Sequence, residues 1–238
     1  MTKGKRRQLP VKSDQVRAAV RGTGSFLPEN CLQNSDLEKM VDTTDEWIST
    51  RTGIKSRRIA GAGEITSVLA TRAAKKALEA SGISPEEIGL IVVATISASS
   101  SMPSCACRVQ REIGAQNAVA FDIGAACSGF VFAIDLAEKY ILSNPSLKAL
   151  IIGAETLSNR VDWSDRNTCV LFGDGAGACV LSGERDGRGI LASRLYSDGR
   201  LGELLHMTPS SGSNPYLADN PPVTEGVDFS LFGRAKGD

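Results

Sequence analysis

Residues 118–130 read AVAFDIGAACSGF, a short apolar run that gives way to Gly124-Ala125-Ala126-Cys127-Ser128-Gly129. The run 118–123 has the length and composition of a buried strand. The stretch from Cys127 to Ser143, which stops before Asn144-Pro145, has those of a helix. A chain that passes from strand to helix through glycine and alanine sets the residue at the turn against the free amides and partial positive charge of a helix N-terminus. A thiol placed there is favoured as thiolate, and small neighbours let a carbonyl approach it closely. Cys127 is therefore the candidate nucleophile, with its own amide as a candidate oxyanion donor. The competing reading is a buried cysteine that packs as a small hydrophobe.

Working outward, residues 88–96, 148–153 and 177–182 are further apolar runs bounded by glycine or polar residues, and they read as strands buried on both faces. Between them lie helical stretches with recognisable stops, residues 66–81 before Gly82 and 103–113 before Gly114. Ser84-Pro85-Glu86-Glu87 combines an N-cap, a proline at the first helical position and a capping-box glutamate, which predicts a helical turn before the strand at 88. This alternation predicts an α/β fold with a mostly parallel sheet covered on both faces. Residues 31–60 interrupt it as a helical insertion, with capping boxes expected at Ser35 with Glu38 and at Thr43 with Glu46, and a stop at Gly53. Residues 207–226 concentrate Pro, Ser, Gly and Asn and read as loop, and no internal repeat is visible.

With 238 residues and 42% apolar content the chain is long enough to bury a sizeable core. Lys plus Arg equals Asp plus Glu at 27 each, so no global field selects nucleic acid or an anionic membrane. No apolar run is long enough to cross a bilayer, and the basic start MTKGKRRQLPVK has no apolar core behind it, so the expected compartment is the cytoplasm. Six cysteines without a CxxC pair, and one histidine, suit reduced thiols better than a zinc site or a disulfide scaffold. Cys105, Cys107, Cys169 and Cys179 sit in apolar or helical stretches and are assigned no chemistry, and Cys31 is expected in a loop. Gly173-Asp174-Gly175-Ala176-Gly177 lacks the Lys-Ser/Thr ending of a phosphate loop and runs into a strand, so it reads as a tight turn passing close to the Cys127 elbow. His206, beside leucines, reads as a packed residue rather than a base.

Gly22-Thr23-Gly24-Ser25-Phe26-Leu27-Pro28, Asp42-Thr43-Thr44-Asp45-Glu46-Trp47-Ile48, Arg51-Thr52-Gly53-Ile54, the Cys127 elbow and Phe172-Gly173-Asp174-Gly175-Ala176-Gly177 together resemble the beta-ketoacyl-acyl-carrier-protein synthase III family. The resemblance spans about residues 17–206 and reaches more loosely to 231–234. It implies a thiolase-like fold, here the first of two similar halves. That half is a mixed five-stranded sheet covered by helices at 17–206, between a basic extension at 1–16 and a loop with the start of the second half at 207–238. It implies an acyltransferase that moves acetyl or another short acyl group from coenzyme A onto Cys127 and condenses it with malonyl-acyl carrier protein. Acyl-coenzyme A is then a substrate, with no resident cofactor and no metal, and the assembly is a homodimer. By the same resemblance Trp47, Arg51 and Arg166 hold the coenzyme, and Met102 and Phe172 belong to the substrate pocket, Met102 reaching across the dimer. The bland alternative packs Trp47 on its own helix and leaves both arginines solvated. In the family the histidine and asparagine that polarise the malonyl thioester belong to the second half, so this chain by itself is expected to be impaired. Two rival readings stand beside the first: a non-catalytic dimerising remnant, and a polyketide-priming acyltransferase.

Overall fold

The computed structural model describes residues 15–204 and Met207. In chain order its elements are β1 (Arg17–Phe26), β2 (Asn30–Gln33), α1 (Asn34–Leu37), α2 (Asp45–Thr52), β3 (Ser56–Ile59), α3 (Thr66–Ser81) and β4 (Ile88–Ala94), followed by α4 (Cys105–Ile113), β5 (Val119–Ile123), α5 (Gly129–Ser143), β6 (Lys148–Thr156) and β7 (Asp174–Glu184). The main sheet has the order β1-β7-β6-β4-β5. β4 pairs in parallel with β5 and β6, whereas β7 is antiparallel to both β6 and β1. The sheet is thus the mixed five-stranded one that the resemblance implies, and not the mostly parallel one that the alternation alone predicts. Helical crossovers precede β5 and β6, but β7 follows a loop that returns the chain in the opposite direction.

The continuous apolar runs are explained by two cores on opposite sides of the sheet. Ile91 and Val93 of β4, Leu150 and Ile152 of β6, and Ala178 and Val180 of β7 face α3 and α4. Their neighbours Leu90, Val92, Ala149, Ile151, Cys179 and Leu181 face α5. Period-two alternation therefore persists, but both sets are apolar because both faces are covered. Helix α3 keeps its predicted ends: Gly82 closes it in the left-handed region at φ 66°. The turn at Pro85–Glu87 carries the expected reciprocal bonds between Ser84 and Glu87. β1, with two arginines and two glycines in RAAVRGTGSF, has no strand signature of its own. It runs against the backbone of α3, where an added Cβ on Gly22 or Gly24 would lie within 2.4 Å of helix atoms.

The insertion at 31–60 is only partly helical. β2 and β3 form a two-stranded antiparallel ribbon, so Cys31 lies in a strand and not in a loop. Both expected capping boxes shift. Gln33 and Asp36 exchange the reciprocal bonds at α1, while Glu38 accepts from the Asp45 amide at 2.7 Å. At α2 the cap is Thr44, whose hydroxyl accepts from the Trp47 amide at 3.1 Å, because Thr43 is turned inward and buried. Leu37 and Ile48 of this insertion pack on Val161, Cys169 and Val170, which makes a third apolar cluster. Residues 1–14 and 208–238, and with them most of the expected terminal extension and late loop, lie outside the described residues, as does His206.

Candidate active site

β5 ends at Ile123, and a single 3-10 turn, Ala126–Ser128, separates it from α5 at Gly129. Cys127 therefore sits in the turn just before the α-helix rather than at its first residue. Ala126 has φ 44°, the one non-glycine residue with positive φ among those described. The left-handed region costs an L-residue roughly 1–2 kcal/mol. Just beyond Ala126, Gly129 passes close to β4: a Cβ there would lie 3.0 Å from Ala94 Cβ. The result is an exposed Cys127 thiol at the mouth of a cavity of about 350 Å³. Its walls come from Leu27, Ala94, Phe130, residues 153–155 and residues 175–177.

The glycine-rich segment 173–177 is not a tight turn. Asp174 to Gly177 are the extended first residues of β7, paired with Thr156 to Gly153 of β6. It does bring its backbone to the Cys127 cavity, as the sequence suggested. Buried Asp174 also ties this strand to its surroundings, accepting from the Ala60 amide at 2.7 Å and from the Ser158 amide and hydroxyl at 2.9 and 2.6 Å.

Sequence reasoning missed Glu155, the one ionisable wall residue of the cavity besides Cys127. Its carboxylate accepts from the Ile96 amide at 2.9 Å, from Thr95 Oγ1 at 3.3 Å and from the Ser97 hydroxyl. Burial pushes its carboxyl above the usual range, against the opposing effect of those donors. The one local signal was an acid following the apolar run 149–154.

Trp47 and Arg51, one turn apart on α2, share a helix face. The Arg51 guanidinium lies 4.6 Å from the Trp47 ring centroid, and that of Arg166 lies 4.5 Å from the same ring. The structure thus brings all three together, while Arg51 stays exposed, as the bland alternative has it. Arg166 meets Asp42 only at 3.8 Å, and its buried Nε has no hydrogen-bond partner among the described residues. Met102 is 85% exposed on the loop between β4 and α4. Phe172 packs in the third apolar cluster, apart from the cavity walls, so this chain does not place it in the Cys127 pocket.

The remaining thiols separate by environment. Burial pushes Cys105 up to about 12 and Cys179 to about 11, and raises Cys169 as well. Brief iodoacetamide treatment of the folded protein is expected to label Cys127 first and Cys31, the other exposed thiol, after it. Cys105, Cys169 and Cys179 stay protected until denaturant is added. Peptide mapping over time checks this, and label on Cys31 ahead of Cys127 would count against the elbow as an activating position.

A model of the 3-oxoacyl-[acyl-carrier-protein (ACP)] synthase III family matches residues 121–199, the segment that holds the elbow. The beta-ketoacyl-[acyl-carrier-protein] synthase III of Desulfotalea psychrophila is 56% identical over 202 residues, which are 85% of this chain and 62% of that protein. The crystal structure of 3-oxoacyl-[acyl-carrier-protein] synthase III from Aquifex aeolicus VF5 superposes with a TM-score of 0.78 at 54% identity, covering 80% of this chain and 61% of that one. The priming beta-ketosynthase from the R1128 polyketide biosynthetic pathway superposes with a TM-score of 0.75 at 37% identity, over 85% of this chain and 60% of that one. The chain spans 60–62% of the length of these three relatives. With the same thiolase-like α/β fold and the elbow cysteine inside the matched segment, the chain belongs to the 3-oxoacyl-[acyl-carrier-protein] synthase III family.

Proposed function

We propose that the protein acts as a beta-ketoacyl-acyl-carrier-protein synthase III, which starts fatty acid synthesis by condensing a short acyl group from coenzyme A with malonyl-acyl carrier protein. The observation that carries this reading is the exposed Cys127 thiol on a strained elbow beside a largely apolar cavity. The sulfur of Cys127 bonds to the acyl carbon as the bond from that carbon to the coenzyme sulfur breaks, and the thiol proton ends on coenzyme A. Decarboxylation of the malonyl group then releases carbon dioxide and supplies the carbanion that attacks the acyl carbon. The bond from that carbon to the Cys127 sulfur breaks as the new carbon–carbon bond forms, and the sulfur leaves as thiolate to be reprotonated. Trp47 stacks the adenine, while Arg51 and Arg166 offer fixed positive charge to the phosphates. Acyl-coenzyme A enters as a substrate and no resident cofactor is needed.

The same reading includes a homodimer in the cytoplasm. β5 is an edge strand of the main sheet, and Val119 on it is 60% exposed, so an apolar open edge is available to a second copy. Among the described residues no helix is long and apolar enough to cross a membrane.

The test is to incubate the protein with acetyl-coenzyme A, desalt it and map the peptides by mass. One acetyl group is expected on the Cys127 peptide, absent from the Cys127→Ser variant, with the other five cysteines unmodified. An unmodified Cys127 in protein whose elbow still reacts with iodoacetamide would overturn the proposal. The likeness to a priming beta-ketosynthase keeps one second reading, loading of a polyketide starter. A preference for acyl donors longer than acetyl, together with product formation on a polyketide carrier protein, would favour it.

A further inference from the structure

Ala94 of β4, Gly153 of β6 and Gly177 of β7 are register partners across the sheet, so their side-chain positions share one face. That face is the one covered by α5. A Cβ on Gly153 would lie 3.3 Å from the Phe130 ring, and Ala94 Cβ limits Gly129. Gly177 lines the Cys127 cavity on this same face, yet a Cβ built on it meets no atom within 4 Å. Its φ is not positive either. Glycine inside a strand usually answers to a left-handed conformation, a bulge or a close approach by another group. Gly22 and Gly24 show the last reason, since helix backbone occupies the space a Cβ would need. Gly175 shows a milder form, with Leu27 Cδ2 at 2.9 Å from its would-be Cβ. At Gly177 no protein group among the described residues claims the space.

We propose that Gly177 is a specificity-determining residue, whose missing Cβ leaves the room in the Cys127 cavity that an acyl chain longer than acetyl occupies. This rests on the acyl-accepting role of Cys127 argued above. The chain it admits is uncharged and aliphatic. Leu27, Ala94 and Phe130 offer apolar wall, while the carboxyl group of Glu155 opposes a second carboxylate in the same partly desolvated space. The exchange needs no further reactant, since one thioester is broken as another forms and the proton passes to coenzyme A.

The experiment compares the parent with Gly177→Ala and Gly177→Ser, using acetyl-, butanoyl- and hexanoyl-coenzyme A as donors and the Cys127 peptide as the readout. A second series alkylates Cys127 with iodoacetamide and with an N-hexyl iodoacetamide, which needs no coenzyme site. One methylene of lost room in an apolar pocket is worth roughly 10–200-fold, so the hexanoyl-to-acetyl rate ratio is expected to fall by about tenfold or more in both variants. The ratio of bulky to small alkylation should fall in the same direction. Gly199→Ala, where a Cβ also meets nothing within 4 Å, should leave every ratio at the parent value. Unchanged ratios in both variants overturn the inference, and so does failure of both to fold, because the Cβ then had no room. If no coenzyme donor acylates the parent while the bulky reagent is still slowed in the variants, the acyl-transfer reading fails and the assignment of space at Gly177 stands.

Discussion

Gly24→Ala is expected to destabilise the protein by about 3 kcal/mol or more, the upper end of what overpacking a tight interface costs. The added Cβ would lie 2.3 Å from the Ala73 carbonyl oxygen and 2.4 Å from the Ala77 amide nitrogen, both backbone atoms of α3. Side chains swing away from such an intrusion, but the backbone of a helix packed on the sheet and flanked by α4 does not. Small residues at Ala70, Ala73, Ala74 and Ala77 let α3 lie this close to the sheet in the first place. β1 is the weaker partner: it is an edge strand paired only with β7, so it is the element that yields. Domains of this size are stable by roughly 5–15 kcal/mol, and Gly22→Ala adds a second backbone clash at 2.4 Å, so the double variant is expected to be insoluble or largely unfolded. Urea denaturation followed by circular dichroism measures the single variant, with Gly202→Ala as a control whose Cβ meets nothing within 4 Å. A midpoint for Gly24→Ala equal to the parent would show that β1 does not pack on α3 as described. The effect reaches the cavity too, because Leu27, one residue beyond β1, forms part of its wall.

This interface also marks the boundary of what was legible in the sequence. Strands buried on both faces announce themselves as apolar runs, and α3 is closed by a glycine whose left-handed φ any reader of caps expects. β1 does not, because its identity lies in what it must lack for α3 to approach, and a missing Cβ looks the same in a loop, a turn or a strand. Glycine at 173–177 misled for the same reason: it is read locally as a turn, while pairing with β6 keeps the segment extended. The capping errors at α1 and α2 have a different cause. Several polar residues in succession all qualify as caps, and the choice among them is made by which neighbour is turned inward, as Thr43 is. At the candidate site Cys127 was readable because an elbow is a local feature. Glu155 was not, since its place in the cavity follows from the register of β6 against β7, and the convergence of Arg166 on Trp47 depends on the third apolar cluster joining the insertion to residues 161–172.

The last expectation concerns that convergence. Arg51→Ala and Arg166→Ala should each weaken coenzyme A binding by about tenfold, and the double variant by about a hundredfold, since a hydrogen bond to a charged group is worth roughly 1.5–3 kcal/mol. Both guanidinium groups stand within 4.6 Å of the Trp47 ring centroid, which gathers two fixed positive charges beside one indole. Arg166 is paired with Asp42 only at 3.8 Å, and that carboxylate is fully exposed, so the pair holds little of the guanidinium's charge away from a phosphate. Arg57 shows the contrast. It is 6% exposed and spends its donors inside the fold, on the Leu32 and Val170 carbonyls at 3.2 Å and on Asn34 Oδ1 at 2.7 Å, so its loss would unseat the insertion rather than bare a phosphate site. Thermal unfolding of the Arg51 and Arg166 variants is expected to change little, which would separate a binding effect from a folding one. Raising salt from about 0.05 to about 0.5 M shortens the screening length from about 14 to about 4 Å and should weaken binding to the parent more than to the double variant. Arg51→Lys should recover part of the loss, since it restores the charge without the planar stack. Calorimetric titration with coenzyme A reads all of these. Parent-like affinity in the double variant, with an unchanged salt response, would show that the phosphates are held elsewhere and that the Trp47 cluster only packs the insertion.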